Sequence, residues 1–335
     1  ERLRDQAQHT LGEPQVAGRL AVYPVFGPTR SRLAYRTFAQ AVELGALARE
    51  REGGAAVRAL VVENPTELPL LVYEGEEVLG AQQNRTFAAS ALVAAGDTLE
   101  LDVTCVEQGR WDSRRHRERM RPSPQAADPS LRRLARVSAN AIGSADQAQV
   151  WSAVACRMVE HDVASQSAAM SDVFDHRRGD LDSLGRGIRH LEGQVGAVAA
   201  VAGRPVVLDL VSRAEAFACL LPRLAQGYAL DALNSPESEP DGEAAEAFLR
   251  DALRAPRLET RTAGMGNGLA IGSPALLGSG LEVSGELIQL SAFPVDSGRS
   301  AGRVGPPSRR PAGAPGRPAR AGGAAAARSA VGRGG

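Results

Sequence analysis

Lysine is absent from this chain: all 39 basic residues are arginine. With abundant Ala and Gly, that is the bias of a GC-rich bacterial genome rather than a functional signal. Aromatic residues make up only 4%, so a core must be built from Ala, Val and Leu. The 43% hydrophobic content is enough for a sizeable one. Three cysteines, Cys105, Cys156 and Cys219, are odd in number and far apart, with no CxxC spacing. That argues against a disulfide framework and a structural zinc site. No apolar run reaches the length of a membrane span, and no basic-then-apolar leader opens the chain, so the expectation is a cytoplasmic protein without a membrane partner. A P-loop, an HExxH pair, a dinucleotide fingerprint and a credible Ser-His-Asp order are all missing. The cofactor is therefore left open, and no metal ligands are assigned.

Positive and negative charges balance at 39 each, but unevenly along the chain. Residues 297–335 carry eight arginines and no acid, leaving about −8 on the rest. An acidic body argues against nucleic-acid binding by the folded part. The tail has no apolar periodicity and cannot bury enough surface to offset its ordering entropy, so disorder is expected over 296–335. The remainder divides by texture into an extension (1–17), a β-rich region (18–121), a mainly helical region (122–192) and an α+β region (193–295). The fold class that follows is α+β. An N-terminal antiparallel sandwich or open barrel leads into helices, then into a C-terminal hairpin, helix and strand region. Gly193–Asp209 reads as the hairpin, split at Gly203. Arg213–Asn234 reads as an amphipathic helix kinked at Pro222.

The chemistry concentrates between Leu68 and Trp111. Leu99, Leu101 and Val103 alternate with Glu100, Asp102 and Thr104, the period of a half-buried strand. Continuing that parity puts Cys105 and Glu107 on the apolar face. In the preceding run, Leu68, Leu70 and Val72 share a face with Glu74. Two carboxylates thus stand where the alternation predicts core, and a buried carboxylate must find a cation, hydrogen bonds or a proton. Arg85 and Arg110 are the nearest cations in sequence. Gln82, Gln83 and Asn84 offer donors and acceptors together. Polar groups at the ends of neighbouring strands would converge on one rim above an apolar floor, the usual build of a ligand pocket. The arginines from Arg110 to Arg121 read as a solvated loop near Pro122 and Pro124, with a phosphate-binding patch as the alternative.

The segments EGEEVLGAQQNRT (Glu74–Thr86), CVEQGRW (Cys105–Trp111) and DQAQVW (Asp146–Trp151) resemble the ARPP-1 domain, and the likeness extends from about Gly18 to Phe293. The name stands for ADP-ribosylglycohydrolase (ARG) and rhodanese-phosphatase superfamily-associated protein. The family is named for its neighbours, so the resemblance implies a setting of ADP-ribose or NAD metabolism and no particular reaction. Its motifs add Gln108, Trp111, Gln147 and Trp151 to the candidate site.

The first functional expectation is a small-molecule-binding protein for a nucleotide or ADP-ribose-like ligand. Its contacts would be Glu74, Glu76, Gln82, Gln83, Asn84, Arg85, Cys105, Gln108, Arg110, Trp111, Gln147 and Trp151. The second is a hydrolase-type enzyme with Glu77 and Glu107 as acid and base, or with the glutamates holding a divalent cation. The third is a scaffold for a protein partner, using the helical middle and the arginine-rich segments.

Overall fold

Two kinds of strand sequence build two kinds of sheet. Gln194–Val201, QVGAVAAV, is apolar at almost every position and buried throughout. A run like that needs cover on both faces. Thr98–Cys105 alternates instead and is exposed on one side over its first half.

The computed structural model describes residues 9–28, 31–51 and 58–295, which form an α+β fold. The expected tail over 296–335 and the first eight residues of the extension lie outside them. The described helices are α1 (Phe38–Val42), α2 (Pro129–Ile142), α3 (Gln147–Glu160), α4 (Met170–His176), α5 (Arg178–Gly185), α6 (Ala214–Ala232) and α7 (Gly242–Arg254). Asp128 and Asp146 cap α2 and α3 by accepting backbone N–H bonds, which fixes where each begins.

The large sheet runs, in order, Thr10–Leu11, Leu20–Phe26, Gln194–Val201, Arg204–Val211, Glu286–Pro294, Leu276–Val283, Asn267–Gly272 and Arg257–Thr260, all antiparallel. The hairpin expected around Gly203 forms its centre. One face packs on Phe217, Leu220, Leu224 and Tyr228 of α6, the other on Leu249 and Leu253 of α7. Helix α6 continues through Pro222 as one element. It presses so close to Ala126 and Ala127 that a Cβ on Gly227 would stand 2.9 Å from both carbonyl oxygens. Strand Leu20–Phe26 joins this sheet rather than the N-terminal β-region, because the apolar hairpin strand Gln194–Val201 gives it a long partner.

The second sheet is the open barrel. Its order is Arg121–Ala126, Glu76–Leu79, Arg85–Phe87, Thr98–Cys105, Ala59–Glu63, Leu47–Arg49. Its two outer strands are drawn together by one bridge, Ala48 to Met120, with Met120 N–H donating to Ala48 O at 2.9 Å. The arginine-rich stretch up to Arg121 spans that closure as a loop with one short turn of 3₁₀ helix at Ser113–Arg115. Pro122 and Pro124 do not interrupt the following strand, because it lies at the end of the sheet and its register shifts between Pro122 and Ala126. Phe38, Leu60, Leu70, Val78, Phe87, Leu101 and Val103 fill the interior. A small three-stranded sheet, Ala91–Val93, Leu70–Val72 and Arg36–Thr37, adjoins it. No described helix is long and apolar enough to cross a membrane.

Candidate functional site

Arg85 sits between Val78 and Cys105 in the barrel register. Residues opposite one another across antiparallel strands share a face, and two positions on, the same face carries Phe87 opposite Val103 in the apolar interior. The fold therefore drives a guanidinium into the inner wall of the barrel, where it is fully buried. Arg85 Nη1 donates to Gln83 Oε1 at 2.8 Å, and the Cys105 thiol lies 3.1 Å from the same oxygen. Arg85 Nε and Nη2 have no hydrogen-bond partner. The nearest carboxylate is Glu50, whose Oε1 stands 4.0 Å from Nη2. Burial pushes the Arg85 pKa down, against the pull of Cys105, Glu50 and Glu107. The Trp111 ring lies 6.0 Å from the guanidinium carbon, and Trp111 is 51% exposed.

Around this centre the QQNR and CVEQGRW segments interlock. Gln83 Nε2 donates to Glu107 O at 2.8 Å, and Asn84 N–H to Glu107 Oε2 at 2.9 Å. Arg110 clamps the same carboxylate with Nε at 2.7 Å and Nη2 at 2.6 Å, and its Nη1 reaches Ala81 O at 2.6 Å. Glu107 is therefore an ion-paired brace. Gln147, the first residue of α3, holds Cys105 as a strand neighbour would, accepting from its N–H and donating to its O, both at 2.8 Å. Gln82 N–H donates to Glu50 Oε1 at 3.2 Å, while its own buried Oε1 has no donor. Glu50 Oε2 meets His116 at 3.4 Å, tying the arginine-rich loop to the barrel mouth.

The EGEE turn does not join this cluster. Glu77 is registered against Thr86, so it faces away from Arg85. One of its oxygens accepts from Ser123 at 2.8 Å and from Gln125 at 2.7 Å, and the other is buried without a partner. Burial pushes its pKa up to about 8; those two bonds oppose the rise, and the charges of Glu107 and Asp175 add to it. Glu76 rises to about 7 by burial, against a bond from Tyr73 N–H and the charge of Arg223. Glu74 finds its cations on α2 rather than in Arg85 or Arg110. Arg136 donates to it at 2.5 Å, Arg132 lies 3.6 Å away, and Ser279 also donates. Gly75, with φ +83°, makes the turn and lets Arg132 lie against it. Glu74, Thr86, Thr104, Arg132 and Arg136 line a recess of about 20 Å³, room for one water. Gln108 is exposed, and Trp151 is half-buried with an unpartnered N–H. Among the described residues no three His, Cys, Asp or Glu side chains converge to hold a metal ion.

A second buried polar centre escaped the sequence reading. Asp209 accepts from both ends of the Arg132 guanidinium, from Tyr73 at 2.7 Å, from Tyr228 at 2.6 Å and from Ser291 at 3.1 Å. Burial raises its pKa, but the Arg132 charge and these bonds outweigh that and hold it below the usual carboxylate range. A lone acid inside the apolar run VVLDLV was the available signal.

The family model described as the ARG and Rhodanese-Phosphatase-superfamily-associated Protein domain matches residues 8–293. No curated protein and no solved structure matches the chain.

Proposed function

This chain belongs to the ARG and Rhodanese-Phosphatase-superfamily-associated Protein domain family, and from its barrel mouth we propose that it binds a small nucleotide or ADP-ribose-like molecule there. The observation that supports this reading most is Arg85. It is fully buried, yet two of its nitrogens lack a hydrogen-bond partner. A buried cation whose nearest carboxylate stands 4.0 Å off keeps part of its desolvation cost, roughly several kcal/mol when wholly unpaired, and an anionic ligand group at the barrel mouth would offset some of it. Trp111, exposed above the guanidinium, offers a face on which a base can stack. The ARG in the family's name accords with an ADP-ribose setting. Thermal unfolding with ADP-ribose, NAD and AMP tests the proposal, read alongside tryptophan fluorescence. A ligand-dependent rise in the midpoint, reflecting about 2.7 kcal/mol of stabilisation at a hundredfold excess over Kd, supports it. No shift with any of the three removes it and leaves the interaction scaffold.

One observation favours a second reading, a hydrolase. Glu77 has its pKa raised to about 8 and one unpartnered oxygen, the state of a general acid at neutral pH. Turnover of ADP-ribosylated or phosphorylated compounds that disappears in Glu77→Gln, with ligand binding retained, would establish it.

A further inference from the structure

The segment from Arg110 to Arg121 holds six arginines against two acids, a net +4 in twelve residues. Taken from the −8 of residues 1–296, that leaves about −12 on the others. An acidic average argues against nucleic acid, but the charge is not spread evenly, and the segment is a basic island on the folded body. Half of its arginines are neutralised locally. Arg110 is paired with Glu107 at 2.6 Å, Arg114 with Asp112 at 3.0 Å and Arg115 with Glu118 at 2.8 Å. Arg117, Arg119 and Arg121 are exposed and have no hydrogen-bond or ion-pair partner among the described residues.

The fold arranges these unpaired cations in a row. Met120 is buried and bridges to Ala48. With Met120 pointing in, Arg119 and Arg121 on either side of it point out, about 6.7 Å apart along extended chain. Arg121 stands opposite Leu79, so no acid faces it across that pair. The two ends of the segment meet over the Gly80–Ala81 turn. Arg110 Nη1 donates to Ala81 O at 2.6 Å, and a Cβ on Gly80 would stand 3.6 Å from Arg119 O. Trp111, next to Arg110 and 51% exposed, therefore shares a rim with the row. A row of separate cations suits a linear polyanion, and an exposed indole offers a face to a base. An acidic peptide would use the arginines and leave the indole idle. The helix in the segment is the three-residue turn Ser113–Arg115, too short to enter the groove of a duplex.

We infer that residues 111–121 form a docking strip for single-stranded nucleic acid, with a base stacked on Trp111 and backbone phosphates on Arg117, Arg119 and Arg121. This goes beyond the single-nucleotide reading above: it shares Trp111 with that reading and makes no use of Arg85.

The test is fluorescence anisotropy of the full chain with a labelled oligothymidylate, and with an oligoglutamate of equal length, from about 50 to 200 mM salt. Residues 297–335 add eight arginines of their own, so parent and variants, all carrying them, are compared. In the triple variant Arg117→Ser, Arg119→Ser, Arg121→Ser, the slope of log K against log salt should be shallower by about 2, at roughly 0.7 per lost phosphate contact. These side chains are exposed and unpartnered, so the variant should keep the parent's unfolding midpoint. Trp111→Ala should weaken oligothymidylate about tenfold, leave the slope unchanged and abolish the quenching of tryptophan fluorescence by the oligonucleotide. An unchanged slope in the triple variant overturns the strip. Oligoglutamate binding as tight as oligothymidylate, with no effect of Trp111→Ala, overturns the nucleic-acid assignment in favour of an acidic protein partner. If AMP stabilises the protein while the slopes coincide, the strip falls and the single-nucleotide reading stands. If the oligonucleotide binds as expected and AMP does not, the strip stands and that reading falls.

Discussion

Arg132 of α2 and Asp209 of the large sheet meet in a two-pronged ion pair, Nη1 to Oδ2 at 2.8 Å and Nη2 to Oδ1 at 2.6 Å. Both are almost wholly buried, and the guanidinium lies over the rings of Tyr73, at 5.6 Å, and Phe293, at 5.3 Å. This one contact joins the large sheet, α2 and the turn below the barrel, since Tyr73 and Glu74 belong to that turn.

Breaking such a pair from one side leaves the other charge unmatched. Asp209→Asn is expected to cost about 3–5 kcal/mol of unfolding free energy. Tyr228→Phe, which removes one bond to the same carboxylate, should cost about 1.5–3 kcal/mol. Urea unfolding followed by circular dichroism measures both. A smaller loss for Asp209→Asn than for Tyr228→Phe would show that the charge is not what matters.

Glu76 and Glu77 give stability an unusual pH dependence. Their pKa values in the fold, about 7 and about 8, lie above the ordinary 4.5. The folded state therefore holds these protons more tightly than the unfolded chain does. Their contribution is full below pH 4.5 and is lost as pH rises through 7 and 8. Within that window each group contributes a fall of about 1.4 kcal/mol per pH unit. Asp209, with its lowered pKa, acts in the opposite sense and only at lower pH. Unfolding free energy measured from pH 5 to 9 should thus decline, and Glu77→Gln should flatten the decline. A Glu77→Gln curve parallel to the parent would mean that this carboxyl ionises freely in the fold.

Local pattern carried part of this arrangement. The alternation in LELDVTC pointed Cys105 inward, and its extension put Glu107 in the interior, where it is buried with Arg110 as its cation. The two apolar runs either side of Gly203 marked the hairpin that forms the centre of the large sheet. Long-range partners were not legible. Glu74 pairs with Arg132 and Arg136, residues of a helix whose own pattern says nothing about which turn it will meet. The face of Glu77 depends on how Glu76–Leu79 registers against Arg85–Phe87, and a shift of one residue would reverse it. Glu50 reaches Arg85 only because the barrel's outer strands close at Ala48 and Met120.

The brace at Glu107 can be separated from the Asp209 centre. Beyond its bonds to Arg110 and Asn84, Glu107 forms a backbone bridge with Ala169; Val106 O accepts from Met170 N–H at 2.8 Å, and Ser167 O from Gly109 N–H at 2.6 Å. Asn84 Nδ2 lies 3.2 Å from Ser171 Oγ. The ion pair thus fixes the CVEQGR turn, and the turn fixes the start of α4. Arg110→Ala should free this unit locally. Amide hydrogen exchange is expected to speed up over residues 106–110 and 167–171 and to stay unchanged at Leu208–Val211. A double-mutant cycle with Glu107→Gln should return a coupling of about 1–3 kcal/mol. Zero coupling, or faster exchange across the large sheet as well, would show that the clamp does not act as a local staple.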